Sequence, residues 1–207
     1  MSTLCWNIRG LGKPVKRSLI KDIVLQSKCN VVCFQETKIN HITPDIISST
    51  YGKAFDSWEV VNATGAVGGI LTCWKSDLIQ VSHLYKGLFS LSTQHQWKMQ
   101  TSTASWVTTN VYGPTDNHLK KEFLDELNAI RSIWKGPWII IGDFNIIRFS
   151  DERKGASNCH ASSNHFNQFI NSHSLMEIKL EHRRFTWSNH RENPTLAKLD
   201  RCLISLE

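Results

Sequence analysis

A run of apolar residues, Trp138-Ile139-Ile140-Ile141, passes straight into Gly142-Asp143-Phe144-Asn145. Such a run reads as a strand buried on both faces, and open α/β sheets place their chemistry at the ends of such strands. A carboxylate and an amide two positions apart can hold a water molecule or a phosphate oxygen if other elements bring them partners.

The same layout recurs along the chain. Thr3 to Ile8 reads as a short strand whose polar member, Asn7, precedes a Gly10-Leu11-Gly12 turn. Asn30 to Phe34 discharges into Gln35-Glu36-Thr37-Lys38, the run Ser105 to Tyr112 ends at Gly113-Pro114, and Asp200 lies within the strand-like run Ala197 to Ser205. Glu36, Asp143 and Asp200 are hard oxygen donors, suited to Mg²⁺ rather than zinc. Magnesium sites use one or two carboxylates and leave room for a substrate phosphate.

The elements that must position these residues follow from periodicity. Val15, Leu19, Ile23 and Val24 recur at helical spacing from Pro14, with Lys16, Arg17, Lys21 and Lys28 between them, which predicts an amphipathic helix with a basic solvent face. Strand, helix and strand then form a βαβ-like opening that sets Asn7 and Glu36 at the same end of neighbouring parallel strands. Residues 57 to 112 predict an antiparallel block, in which Gly68-Gly69 is a bend or close backbone approach rather than a phosphate cradle, because no helix follows it. Asp116 or Asn117 caps a second helix carrying Leu119, Phe123, Leu127, Ile130 and Trp134. Ser162 or Ser163 caps a third with Phe166, Phe169 and Ile170. Trp6, Trp74, Trp106 and Trp138 fit strand cores, while Trp187, close to Arg183 and Arg184, could stack on a base.

Composition narrows the class. With 207 residues, 41% of them apolar, the chain reads as one domain with a sizeable core. Its 24 Lys and Arg against 18 Asp and Glu give a net charge of +6, which suits a polyanionic partner without proving one. The six cysteines form no CxxC pair and read as reduced core thiols. No run approaches the ~18 apolar residues of a membrane span and no signal peptide is recognisable, so a nuclear or cytoplasmic location without membrane partners is expected. The nine histidines match no zinc-finger spacing, and no Ser lies in a Gly-x-Ser-x-Gly setting.

Cys5-Trp6-Asn7, Gln35-Glu36-Thr37, Val111-Tyr112-Gly113-Pro114, Gly142-Asp143-Phe144-Asn145, Phe185-Thr186-Trp187 and Leu199-Asp200-Arg201, in this order, resemble the motifs of the endonuclease/exonuclease/phosphatase superfamily of exonuclease III-like and DNase I-like enzymes. Trp6 to Gly12 with Pro14 to Arg17, and Phe185 to Asn189 before Leu199 to Ser205, are similar to the endonuclease domain of plant LINE-type non-LTR retrotransposons. The resemblance implies a four-layer α/β sandwich of two mixed β-sheets flanked by helices. The implied activity is Mg²⁺-dependent (or Mn²⁺-dependent) DNA phosphodiester hydrolysis, nicking a target for a reverse transcriptase encoded downstream in a full-length relative. Glu36 would bind the metal with help from Asn7, Asp143 would orient or deprotonate the water, and Asn145 would hold the water or the phosphate. Tyr112 would donate to a phosphate oxygen and Thr186 would shape the same pocket.

The family pattern ends in a strand bearing Ser-Asp-His, and this chain has no Asp-His dipeptide. Asp200 matches an aspartate that orients that histidine. The chain therefore reads as a single domain, 1–207, truncated by one strand and weakly active or inactive. The alternatives are a non-catalytic basic nucleic-acid-binding fragment of a decayed retrotransposon and a phosphatase of the same fold.

Overall fold

The structure is a computed structural model that describes residues 2–63, 68–98, 104–155 and 160–205. Strand β1 (Thr3–Asn7), helix α1 (Pro14–Ser27) and strand β2 (Val31–Gln35) form the anticipated opening, with β1 and β2 parallel and Asn7 level with Gln35. Helix α2 (Pro44–Tyr51) follows, and its N-cap Thr43 accepts a hydrogen bond from the Ile46 N–H at 3.4 Å. It escapes the periodicity reading because it is only eight residues long and half of its apolar face is one tyrosine and one threonine. Strands β3 (Ser57–Val61) and β4 (Ile70–Trp74) complete a four-stranded sheet in the order β1-β2-β4-β3.

Strands β5 (Ile79–Lys86), β6 (Ser90–Trp97) and β7 (Ser105–Tyr112) cross into a second sheet. The antiparallel block expected over 57–112 is therefore shared between two sheets. A 3-10 turn at Asn117–Leu119, capped by the Asp116 carboxylate, leads into α3 (Lys120–Ile133). Then come β8 (Trp138–Asp143), the short β9 (Arg153–Lys154), α4 (His160–Ser172), β10 (Leu175–Glu177), β11 (Trp187–Ser188), β12 (Leu196–Ala197) and β13 (Asp200–Ser205). The second sheet has the order β10-β13-β8-β7-β6-β5, with β7 and β8 parallel and its other pairs antiparallel. A small sheet β11-β12-β9 sits beside it. Helix α4 begins at His160, before the Ser162 or Ser163 cap expected from sequence.

Three hydrophobic layers make this the expected four-layer sandwich. Ile20 and Val24 of α1, Ile47 and Tyr51 of α2, and Phe34 and Leu71 of the four-stranded sheet form one outer core. Phe123, Leu127 and Ile130 of α3 and Phe166 and Ile170 of α4 pack on Trp138 and Ile140 of the six-stranded sheet in the other. Val31, Cys33, Trp74 and Ile79 lie between the sheets, joined by Cys5 and Ile141. No helix among the described residues is long and apolar enough to cross a membrane.

Two expectations need correction. Helix α1 packs through Ile20 and Val24, and Val15, Leu19 and Ile23 face outward, 74%, 61% and 41% exposed. Ile20 and Val24 meet Ile47 and Tyr51 of α2 in the outer core, and beside them Arg17 donates to the Ser49 hydroxyl at 3.1 Å, so the face that packs is not the stripe that periodicity selects. Trp6, expected in a strand core, is 37% exposed: β1 is an edge of its sheet, and Phe34 meets the indole edge-on.

Candidate active site

The site forms where the two sheets meet. Asp143 closes β8, Tyr112 lies beside it on β7, and Asp200, the first residue of antiparallel β13, lies directly opposite it on the other side. Gly142 makes this register possible: its φ is +145°, and a Cβ there would fall 2.1 Å from the Val111 carbonyl oxygen. From the four-stranded sheet, the Asn7 amide donates to Asp143 Oδ2 at 2.8 Å, bridging the layers. The Asp143 Oδ1 accepts from the Asn145 N–H at 2.9 Å, and the Asn145 amide donates to the Gly113 carbonyl at 2.8 Å. Asp143 is thus a hub that is only 4% exposed.

Burial raises the Asp143 pKa, the facing Asp200 carboxylate raises it further, and the bonds from Asn7 and Asn145 pull it back, leaving it at about 7. Asp200 is raised by burial as well, opposed by its hydrogen bond with Thr186. The Thr186 hydroxyl accepts from the N–H groups of Leu199 (3.0 Å) and Asp200 (3.1 Å), so it fixes the start of β13 as well as lining the cleft. Burial, then Glu36 and Asp143, push the Tyr112 phenol up to about 12, which keeps it a protonated donor at neutral pH.

Glu36 follows β2 with φ +57°, and Asn145 follows β8 with φ +50°. The left-handed region is uncommon for glutamate and tolerated by asparagine, and residues held there concentrate at functional sites. Gly68 packs on Glu36 and Tyr112 so closely that a Cβ would lie 2.9 Å from a side-chain atom of each. The close backbone approach expected of Gly68-Gly69 is therefore what seats the glutamate beside the phenol. The Lys38 ammonium stands 2.7 Å from a Glu36 carboxylate oxygen.

The cleft of about 520 Å³ is lined by Asn7, Asp143, Asp200 and Thr186 together with Arg9, Lys16, Arg183 and Trp187. Sequence reasoning missed Arg9 and Lys16 as site residues. Lys16 reads as solvent face by periodicity, yet its ammonium turns inward and donates to the carbonyls of Ile8 (2.5 Å) and Arg9 (3.1 Å), tying down the loop after Asn7. The only sequence signal for it is a basic residue one turn into a helix that follows a glycine turn. Trp187 forms part of the cleft wall and packs with Ile147, Ala197 and Leu199.

Among the described residues no group of three or more His, Cys, Asp or Glu side chains could hold a metal ion. A hard cation that keeps most of its water needs less: one or two carboxylates with an amide oxygen nearby. Glu36, which faces the Lys38 ammonium, and Asn7, whose amide oxygen accepts from the Arg9 N–H at 3.2 Å, carry hard oxygen donors of the kind Mg²⁺ takes.

Comparison with known proteins gives a consistent picture. A model of the Endonuclease/Exonuclease/phosphatase family matches residues 4–206. No curated protein is similar enough in sequence to be matched. Among solved structures, the AP endonuclease LMAP from Leishmania major superposes with a TM-score of 0.71 at 15% identity, over 99% of this chain and 79% of that one. The endonuclease domain of TRAS1, a telomere-specific non-LTR retrotransposon, gives 0.70 at 13% identity over 99% and 84%. The Xenopus laevis APE2 catalytic domain gives 0.71 at 16% identity over 100% and 82%.

Proposed function

The chain belongs to the Endonuclease/Exonuclease/phosphatase family, and from that premise we infer that it is a divalent-metal-dependent DNA endonuclease in kind, of retrotransposon origin. Its role on this reading is to nick a target for a reverse transcriptase encoded downstream. The observation that carries the reading is the bond from Asn7 to Asp143, which joins an amide of one sheet to a carboxylate of the other at a single cleft.

Glu36 and Asn7 would hold Mg²⁺ (Mn²⁺ as a substitute), which when bound supplies charge neutralisation at the scissile phosphate. The remaining work falls to the chain. Asp143, with a pKa of about 7, is poised to accept a proton from the attacking water near neutral pH. The water oxygen bonds to phosphorus, the bond from phosphorus to the 3′ oxygen breaks, and the departing oxygen takes up a proton to leave a 3′-hydroxyl. Tyr112 donates to a phosphate oxygen, Asn145 holds the water or phosphate, Thr186 shapes the pocket, and Asp200 keeps the Asp143 pKa high.

Among the described residues lining the cleft there is no histidine, so its cations Arg9, Lys16 and Arg183 are left to stabilise the transition state, with the Tyr112 phenol on the strand beside Asp143. Loss of a principal stabiliser lowers rates by about 100-fold to 1,000-fold. We therefore expect weak or no nicking from this chain alone. A supercoiled-plasmid assay with Mg²⁺ tests this: robust nicking that disappears in Glu36→Ala would establish a competent catalyst and overturn the expected inactivity. The basic rim of the cleft supports a second reading, a non-catalytic DNA-binding fragment, for which salt-dependent binding without any nicking is the signature.

A further inference from the structure

A second recess, of about 240 Å³, lies next to the catalytic cleft, and Arg183 lines both. Its other charged walls are Lys179, Arg184 and Lys198 with Asp151 and Glu152. The two acids are already engaged. Asp151 holds Arg184, which donates to its carboxylate at 2.9 Å and to its backbone carbonyl at 3.0 Å, pinning the segment after β10 onto the 3-10 turn at 150–152. Glu152 pairs with Arg201, and Lys198 sits 2.6 Å from Glu177 and 3.8 Å from Glu152. Lys179 and Arg183 have no ion-pair partner among the described residues, and both are exposed. The recess thus presents two uncommitted cations on a segment anchored by a third.

We propose that this recess binds a second backbone phosphate of the same nucleic-acid strand whose scissile phosphate lies in the cleft, with Arg183 contacting the strand between the two. The proposal rests on the nuclease reading and sharpens it. A small phosphomonoester fills only the first cleft, whereas a polymer with regularly spaced phosphates uses both. The substrate class is therefore a polynucleotide strand rather than a soluble phosphate ester, which separates this chain from a phosphatase of the same fold. The contact is electrostatic and directed at phosphate, so it is independent of base sequence.

The test is fluorescence anisotropy with a fluorescein-labelled 20-base-pair duplex in EDTA, between 50 and 200 mM KCl, with folding of each variant checked by thermal melting. Lys179→Ala/Arg183→Ala should bind about tenfold more weakly at 100 mM KCl, and its slope of log K against log [KCl] should be shallower by about 2. The comparison variant Lys28→Asn/Lys135→Gln removes the same charge at the opposite pole, ahead of β2 and β8, and should bind within about twofold of the parent. Equal losses in the two double variants, or no binding by the parent chain, overturn the proposal. Binding that behaves as expected supports the recess whether or not the Mg²⁺ plasmid assay shows nicking, so failure of the catalytic reading is read separately from failure of this proposal.

Discussion

At the scale of single residues, the site is a cost to the fold. Asp143 and Asp200 stand opposite each other on adjacent strands, both largely buried, and like charges so placed oppose each other's ionisation. The pKa of Asp143 in the folded chain, about 7, lies above the ordinary carboxylate value of 3.8 that it regains on unfolding. The folded state therefore binds more protons between those values, and stability falls as pH rises through that window. Asp143→Asn should accordingly raise the melting temperature, most above pH 7, with the gain shrinking as the pH is lowered toward 4. Thermal melts of both proteins at pH 5 and pH 8 check this, and a gain independent of pH would refute the charge argument. The left-handed backbone of Glu36 points the same way, since that conformation costs stability in a glutamate, and Gly68 leaves the room in which its side chain sits.

At the scale of elements, loops near the site are held by carboxylates from neighbouring helices. Glu126 of α3 accepts from the N–H groups of Leu88 (2.8 Å) and Phe89 (3.3 Å) and from the Ser90 hydroxyl, fastening the β5–β6 turn. The Phe89 carbonyl in turn accepts from the Tyr112 N–H at 2.9 Å, so the turn supports the phenol. Glu126→Ala strands these donors and should cost roughly 1 to 3 kcal/mol by urea unfolding, with Glu126→Gln, which keeps one acceptor, losing less. Such a tie is invisible in sequence because Glu126 reads only as a polar position on an amphipathic helix. What was legible follows the same logic in reverse. Apolar runs ending in Asn7, Glu36, Tyr112 and Asp143 revealed both the strands and their polar ends, since a strand's period and its terminus are local. The outward turn of α1, the short α2 and the inward reach of Lys16 depend on which neighbour packs where, and no local pattern carries that.

At the scale of the whole molecule, the two halves of the site ride on different sheets: Asn7 and Glu36 on one, Tyr112, Asp143 and Asp200 on the other. Their relative position is set by the layer between. Apolar contacts fill much of it, but contacts of that kind allow sliding, and a directional lock lies within them. Asn110 of β7, fully buried, donates to the Leu71 carbonyl and the Thr72 hydroxyl, each at 3.1 Å, on the facing sheet. Its carbonyl accepts from Gln35 of β2 at 2.5 Å, one residue before Glu36. Asn110→Leu would leave the Gln35 amide and the Thr72 hydroxyl without this partner, and should destabilise by roughly 2 to 3 kcal/mol. Gln35→Leu/Asn110→Leu removes both ends of one bond and should recover part of that loss, so a double-mutant cycle in urea should show positive coupling. If the single and double variants lose stability additively, the lock is not a unit, and apolar packing alone aligns the two halves of the site.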